Sequence, residues 1–267
     1  MATENDWLTH NLRERLRNKN ADLQVKFNIP KYRKLNFDEA TKEVAEKLYA
    51  LNNKLFVGLS GGIDSEYVFR RLTELNIPFK PVIVYSTCYK EESSIAFDIC
   101  KEYSVNPTVI NIDEKDIIFR HKTQVHDVIN SFGIGSIPAL VMAEYARENG
   151  GIYIKGEHMV GDMENKVCTE INEWDFYTDV LYPGYTYDFF LHTPEIVYSM
   201  VSEMCNTPDE NSQQFKCRLY NIPYRDKITL KLSPLTLEWF RWLKTNKERI
   251  PEYSWRMNAS EFLKRNF

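Results

Sequence analysis

Four short apolar runs stand out along a mostly polar chain: Leu55 to Leu59, Pro81 to Tyr85, Thr108 to Ile112 and Ile152 to Lys155. Unbroken runs of this length read as strands buried on both faces of a parallel sheet. Stretches with helical spacing separate them, over 64–75, 91–103 and 138–149. Strands alternating with helices of that length predict βαβ units with right-handed crossovers, and so a three-layer α/β sheet. Asn149-Gly150-Gly151 is a helix stop ahead of the fourth run. Upstream, Phe37, Val44, Leu48 and Leu51 recur at helical spacing behind Asn36 and Asp38, either of which can cap a helix.

Beyond Gly161 the rhythm is less regular. Residues 174–198 are crowded with aromatics, among them Trp174, Tyr177, Tyr182, Phe189 and Phe190. Such a stretch predicts a small core or packing flap, with a wall of a ligand pocket as the functional alternative. Residues 235–244 read as a further helix. The pattern divides the chain into a helical N-terminal extension (1–50), an α/β core (51–165) and an aromatic-rich, mainly helical C-terminal segment (166–267). The last is expected to shape a substrate pocket or an oligomer contact.

Composition narrows the function. Of the 267 residues 43% are hydrophobic and 27% charged, which excludes wholesale disorder. Lys and Arg total 34 against 38 Asp and Glu, a net charge of −4, so a globally basic nucleic-acid binder is disfavoured. Arg13, Arg15, Arg17 and Lys19 form one local basic cluster, read as a solvated helix face or as a contact for a phosphate-rich partner such as tRNA. No leader or membrane-length apolar run is visible. The five cysteines are scattered without a CxxC pair, which points to a reducing, cytoplasmic setting.

The chemistry concentrates where the first run meets a helix, at Ser60-Gly61-Gly62-Ile63-Asp64-Ser65. Glycines let the backbone take positive φ and approach an anion with no Cβ in the way. The following helix offers unpaired N–H groups and the positive end of its dipole. Ser60 and Ser65 add hydroxyls. Strand, glycine turn and helix start together make a phosphate cradle. It is not a Walker A loop, because GxxxxGK[ST] is absent, and Gly133-Ile134-Gly135 lacks the third glycine of a dinucleotide fingerprint. The cradle carries an acid, Asp64, which makes sense beside a polyphosphate if Mg²⁺ lies between them.

These six residues resemble the SGGxDS signature of the PP-loop ATP pyrophosphatases without a mismatch. That family includes NAD synthetase, GMP synthetase, the synthase domain of asparagine synthetase and several tRNA-modifying enzymes. The resemblance implies a Rossmann-like parallel sheet of the adenine nucleotide α-hydrolase type, with helices on both faces. It implies ATP and Mg²⁺, attack of a substrate oxygen on the α-phosphate, and release of pyrophosphate. An ammonia or sulfur donor then displaces AMP. By this resemblance Leu59, Ser60, Gly61, Gly62, Asp64 and Ser65 hold the pyrophosphate. Val84, Tyr85 and Ser86, at the end of the second strand, flank the adenine. Gly156-Glu157 matches the start of the acidic GEGxDE-like turn of asparagine synthetases, with His158 in place of the second glycine. NAD synthetases carry a related G-x-x-H-x-x-E turn, against which Asp162 aligns as a metal-binding acid. Asp64 and Asp162 are thus the expected Mg²⁺ ligands, with Glu157 beside them and Gly156 in the nucleotide site. Glu66 reads as a first-turn acid matching the helix dipole.

Related synthases also set a lysine or arginine against the α-phosphate. Arg218, Arg225, Lys227 and Lys231 are the candidates, with Arg225 and Lys227 foremost. Cys88 lies near the expected nucleotide edge and reads as buried or, alternatively, reactive. His121 and His126 are five apart, which does not suit a shared metal. The chain begins Met-Ala-Thr, so no N-terminal cysteine glutaminase is expected, and ammonia would come from solution or a separate partner. The expectation is an AMP-forming synthetase acting on a small-molecule acceptor, as a possible homodimer away from membranes. A tRNA- or nucleobase-modifying enzyme and a non-catalytic ATP-binding protein are the alternatives.

Overall fold

The apolar runs form the middle of a five-stranded parallel sheet in the computed structural model. The structure describes residues 7–18, 24–29, 31–86, 90–120, 136–156, 160–163, 167–207, 210–225, 238 and 254–267. In chain order the elements are β1 (Leu8–His10), α1 (Leu12–Arg17), β2 (Val25–Phe27), α2 (Phe37–Leu51), β3 (Leu55–Gly58), α3 (Ile63–Glu74), β4 (Phe79–Tyr85), α4 (Lys90–Glu102), β5 (Thr108–Asn111), α5 (Glu114–Arg120), α6 (Ser136–Glu148), β6 (Ile152–Lys155), β7 (Val160–Asp162), β8 (Val167–Asn172), α7 (Glu173–Leu181), β9 (Thr186–Asp188), α8 (Pro194–Asn206), α9 (Ser212–Tyr220), β10 (Ser254–Asn258) and α10 (Ala259–Asn266).

The sheet order is β5-β4-β3-β6-β9, with every pair parallel. From β3 the chain steps outward through β4 to β5, then crosses back to β6 and β9. The strand order therefore reverses beside β3, and open sheets of this kind bind ligands outside the strand ends at that reversal. α3 packs on β3 and α4 on β4, while α6 packs on β3, β4 and β6 and α7 on β9. With right-handed crossovers, this places helices on both faces.

Burial follows sheet position. All four residues of β6 are buried, as are Leu55, Phe56 and Val57 of β3. β5 alternates instead, with Val109 39% exposed, in keeping with its place at the edge of the sheet among the described residues. β9 was not legible as a strand: it is three residues long, Thr-Tyr-Asp, and has no apolar run. It comes from beyond residue 165, so the sheet is not completed within 51–165.

Both flanks carry strands besides the helices that predominate among their described residues. The N-terminal segment opens with a hairpin of β1 and β2, and Phe27 meets Phe262 of α10 edge to face at 5.0 Å. Tyr32 donates its hydroxyl proton to the carbonyl of Phe267 at 2.6 Å, so the two ends of the chain are joined. The C-terminal segment contributes β8 and β10, which join β7 in an antiparallel sheet ordered β10-β8-β7, besides its helices. α2 starts where expected. Asn36 caps it in a reciprocal box with Glu39, while Leu51, at its last turn, is 47% exposed rather than packed. The helix expected over 235–244 lies outside the described residues, apart from Glu238.

One buried group gives the fold a pH dependence. His192 keeps some surface, but its Nδ1 is sealed from solvent with no hydrogen-bond partner among the described residues. Burial, with the Lys47 charge adding to it, pushes the imidazole down to about 4. The unfolded chain therefore takes a proton first as pH falls below about 6.5. Stability from the neutral ring is intact above that value and is lost as pH falls toward 4. Up to about 2 kcal/mol is expected to go between pH 6.5 and about pH 5. Urea unfolding across that window checks it, and His192→Gln should flatten the slope. An equally steep slope in that variant would assign it elsewhere.

Candidate active site

The loop of interest leaves β3 at the reversal of strand order. Leu59 is buried and its N–H donates to the Val82 carbonyl at 2.9 Å, which extends the pairing of β3 with β4 by one residue. The chain then turns through Ser60, Gly61 and Gly62 into α3. Of the two glycines only Gly61 takes positive φ, at +84°. Gly62 has an ordinary extended conformation and serves as the N-cap of α3, with no side chain capping the helix. Among the described residues no side chain caps this start, since Gly62 has none to offer.

The two serines hold the turn together. Ser65 Oγ donates to the Gly62 carbonyl at 2.9 Å and accepts from the Ser60 N–H at 3.2 Å. The two hydroxyls lie 3.1 Å apart, and Ser60 Oγ accepts from the Gly62 N–H at 3.2 Å. Their first task here is shaping the cradle. Gly156, at the end of β6, lies against the start of α3: a Cβ there would sit 3.3 Å from the Asp64 carbonyl carbon and the Ser65 nitrogen. The nucleotide-site expectation for Gly156 thus coincides with a close backbone approach that a side chain would crowd.

Beside the loop is a cleft of about 100 Å³. Its walls include Leu59, Val82, Val84, Met142 and Tyr153, with Ser60, Glu92 and Ser93 as the polar groups. Leu59, Ser60 and Val84 were expected there. Tyr85 does not line the cleft; its ring faces Phe97 at 6.4 Å. Ser86 does not line it either, although its buried hydroxyl has no partner among the described residues. Glu92, Ser93 and Met142 were missed because each belongs to an otherwise ordinary helix, and only the packing of α4 and α6 around β3 brings them together.

Asp64 is not left facing solvent. Its Oδ2 takes the Lys216 ammonium at 2.8 Å, and its Oδ1 takes the Tyr220 hydroxyl at 2.9 Å. Both partners come from one face of α9, spaced i and i+4. Tyr220 is buried, and its ring stacks on Tyr67 at 4.4 Å and on Phe190 at 5.4 Å. Burial, with the Asp64 charge next, raises the phenol well above its ordinary value, so it stays a hydrogen-bond donor. Neither residue carried a sequence signal; a lysine on a buried helix face (Phe215, Cys217, Tyr220) was the one available hint.

The other expected site residues divide. Arg225 pairs with Glu66, the residue directly after the loop, which also takes Arg70 at 2.8 Å. Glu66 is an acid of the first turn of α3, as expected, but it is only 1% exposed and is also a buried ion-pair partner. Arg218 binds Glu210 at 3.2 Å and Thr207 at 2.6 Å. Glu157, His158, Lys227, Lys231, Cys88, His121 and His126 lie outside the described residues. Asp162 is described through its backbone, at the end of β7, and β7 packs against α9. Four of the described aromatics of 174–198, Tyr177, Tyr182, Phe189 and Phe190, belong to the core, and the cleft walls draw no described residue from that stretch.

The Mg²⁺ expectation can be tested on this donor set. Among the described residues no group of three His, Cys, Asp or Glu side chains gathers to hold a metal. The loop's one acid has an ammonium on one oxygen and a phenol on the other. The described residues therefore do not fit a ready divalent-cation site.

No protein-family model matches the chain, and no curated protein matches it. Solved structures similar to it include NMN synthetase from Francisella tularensis, at 13% identity and a TM-score of 0.37, over 79% of this chain and 94% of that one. An NH3-dependent NAD synthetase from Campylobacter jejuni subsp. jejuni, in complex with nitrate, is similar at 18% identity and a TM-score of 0.34, over 46% and 58%. A glutamine-dependent NAD+ synthetase from Acinetobacter baumannii, in complex with ADP, is similar at 13% and 0.36, over 51% and 31%. Overlays this loose decide neither fold nor activity. The fold rests on the chain's own strand order, and the activity on its loop.

Proposed function

We propose that the chain is an ATP-dependent synthetase that releases AMP and pyrophosphate. The observation that carries this is the placement of Ser60-Gly61-Gly62-Ile63-Asp64-Ser65. The turn lies at the reversal of a parallel sheet, runs into a helix start that no side chain caps among the described residues, and adjoins a cleft with apolar walls. The helix start and glycine turn suit the β- and γ-phosphates. The walls of Val82, Val84, Met142 and Tyr153 suit a flat base, and in this reading the α-phosphorus lies between loop and cleft. An acceptor oxygen attacks that phosphorus, and the bond to the bridging oxygen breaks. Pyrophosphate leaves within the loop, and the acceptor carries the adenylyl group. Ammonia or another nucleophile then displaces AMP.

The acceptor is a carboxylate or carbonyl compound, as in asparagine and NAD synthetases, with ammonia arriving from solution or from a separate glutaminase. No helix among the described residues is long and apolar enough to cross a membrane.

The test is product analysis with ATP, ammonium and pools of carboxylates, nucleobases and tRNA. The expected result is AMP and pyrophosphate in equal amounts, dependent on one acceptor pool and lost in Gly61→Ala. ADP and phosphate would show that the loop serves a different bond. One observation favours a second reading, a nucleotide-binding protein without turnover: Asp64 is already engaged by Lys216. Tight ATP binding with no pyrophosphate release from any pool would select it.

A further inference from the structure

The engagement of Asp64 has a consequence for how the loop meets negative charge. A glycine cradle followed by an acid ordinarily needs a cation between that acid and a polyphosphate, since the two repel. Here the cation is already built in. The Lys216 ammonium sits 2.8 Å from Asp64 Oδ2, and its side chain is only 9% exposed. The second oxygen is held by Tyr220, which cannot swing away. Its ring packs against three others, Tyr67 at 4.4 Å, Phe190 at 5.4 Å and Phe37 at 5.8 Å.

The helix that carries both residues is fixed at each end. Asn211 and Gln214 form a reciprocal capping box at its start, and Asn221 closes it in the left-handed conformation with φ 52°. A divalent cation at Asp64 would have to displace a largely desolvated ammonium from a rigid helix. Breaking such a pair leaves an uncompensated charge in a low-dielectric setting. With Asp64 neutralised by Lys216, a polyphosphate entering the loop meets the positive end of α3 and an ammonium, with no net repulsion.

We propose that Lys216, seated on Asp64, is the cation this loop offers to a pyrophosphate group. Asp64 positions Lys216, and the loop holds inorganic pyrophosphate, or the β,γ-phosphates of a nucleoside triphosphate, without a divalent metal. This rests on the phosphate reading of the loop given above and changes which cation serves it.

Inorganic pyrophosphate titrated calorimetrically into the full chain, once in excess Mg²⁺ and once in excess EDTA, is the test. Binding in EDTA is expected to be at least as tight as in Mg²⁺. Lys216→Met is expected to weaken it about 30-fold, with Lys216→Arg retaining most of the affinity. Asp64→Asn, which frees the ammonium from its anchor, is expected to weaken binding by a similar factor in both buffers. Binding that falls more than about tenfold in EDTA would overturn the inference whatever the variants do. So would a folded Lys216→Met that binds as well as the parent. The EDTA arm on the unmodified chain keeps the test valid if that variant fails to fold. No pyrophosphate binding in either buffer would instead overturn the phosphate reading of the loop itself.

Discussion

Gly61→Ala is expected to destabilise the fold by about 3 kcal/mol and to weaken pyrophosphate or ATP binding more than about 100-fold. Two costs add. Gly61 has φ of +84°, where an L side chain is strained by roughly 1–2 kcal/mol. Its Cβ would also stand 2.2 Å from the Glu92 carbonyl oxygen and 3.0 Å from the carbonyl carbon. Those atoms are the backbone of the first turn of α4, so no rotamer change relieves the contact and α4 must move. The same turn carries Glu92 and Ser93 into the cleft wall, so the movement reaches the site twice, through loop and wall. Gly62→Ala is the control. Gly62 has ordinary φ, and the nearest atom to its Cβ is the rotatable Ser60 Oγ at 3.2 Å, so it is expected to stay within about 1 kcal/mol. Urea unfolding and a calorimetric titration of both variants decide it. Equal behaviour of the two would mean that the glycine signature reflects neither φ nor close approach at Gly61.

That contrast shows what a sequence can and cannot express about such a loop. The motif and its strand–turn–helix setting were legible, because apolar runs and glycine turns are local signals. Which of the two glycines needs its freedom was not, since that depends on where α4 packs. The central strands β3, β4 and β6 were legible for the same reason. β9 was hidden: its pairing with β6 rests on backbone bonds such as Phe189 N–H to the Lys155 carbonyl at 2.9 Å, and backbone pairing leaves no mark in three residues of Thr-Tyr-Asp.

The aromatic stretch was legible as a small core or packing flap, but the partners it packs against were not. Phe190 stacks with Tyr67 and Tyr220, residues 123 and 30 positions away in the sequence, and no local pattern reports contacts at that range. Charge partners were the least legible part. Asp64 lies 152 residues from Lys216, and an acid in a glycine loop reads equally as a metal ligand or as half of an ion pair until its neighbour is placed.

Glu66 is the second case of a partner found only in three dimensions, and its removal should show what Arg225 does. Glu66 Oε1 takes Arg70 Nε at 2.9 Å, and Oε2 meets the Arg225 guanidinium. Arg70 also donates to the Tyr103 hydroxyl at 2.8 Å, which ties α3 to the end of α4. Glu66→Ala would leave two guanidiniums without their shared carboxylate. Removing one partner of a buried pair costs roughly 3–5 kcal/mol. About 3 kcal/mol is expected here, because the Arg225 side chain keeps 35% of its surface in solvent and water can partly replace the lost contact.

If Arg225 is there to hold Glu66, the two positions must couple. Glu66→Ala, Arg225→Met and the double variant, unfolded in urea, should give an interaction energy of about 1–2 kcal/mol. Arg225→Met alone should lower stability while changing pyrophosphate affinity less than about threefold. An arginine on the α-phosphate predicts the reverse: stability kept, turnover lost and no coupling to Glu66. Seen that way, the segment after α9 serves the site by fixing the helix that carries Lys216 and Tyr220. Coupling of that size would mean that Arg225 acts on the loop through α3 and Glu66.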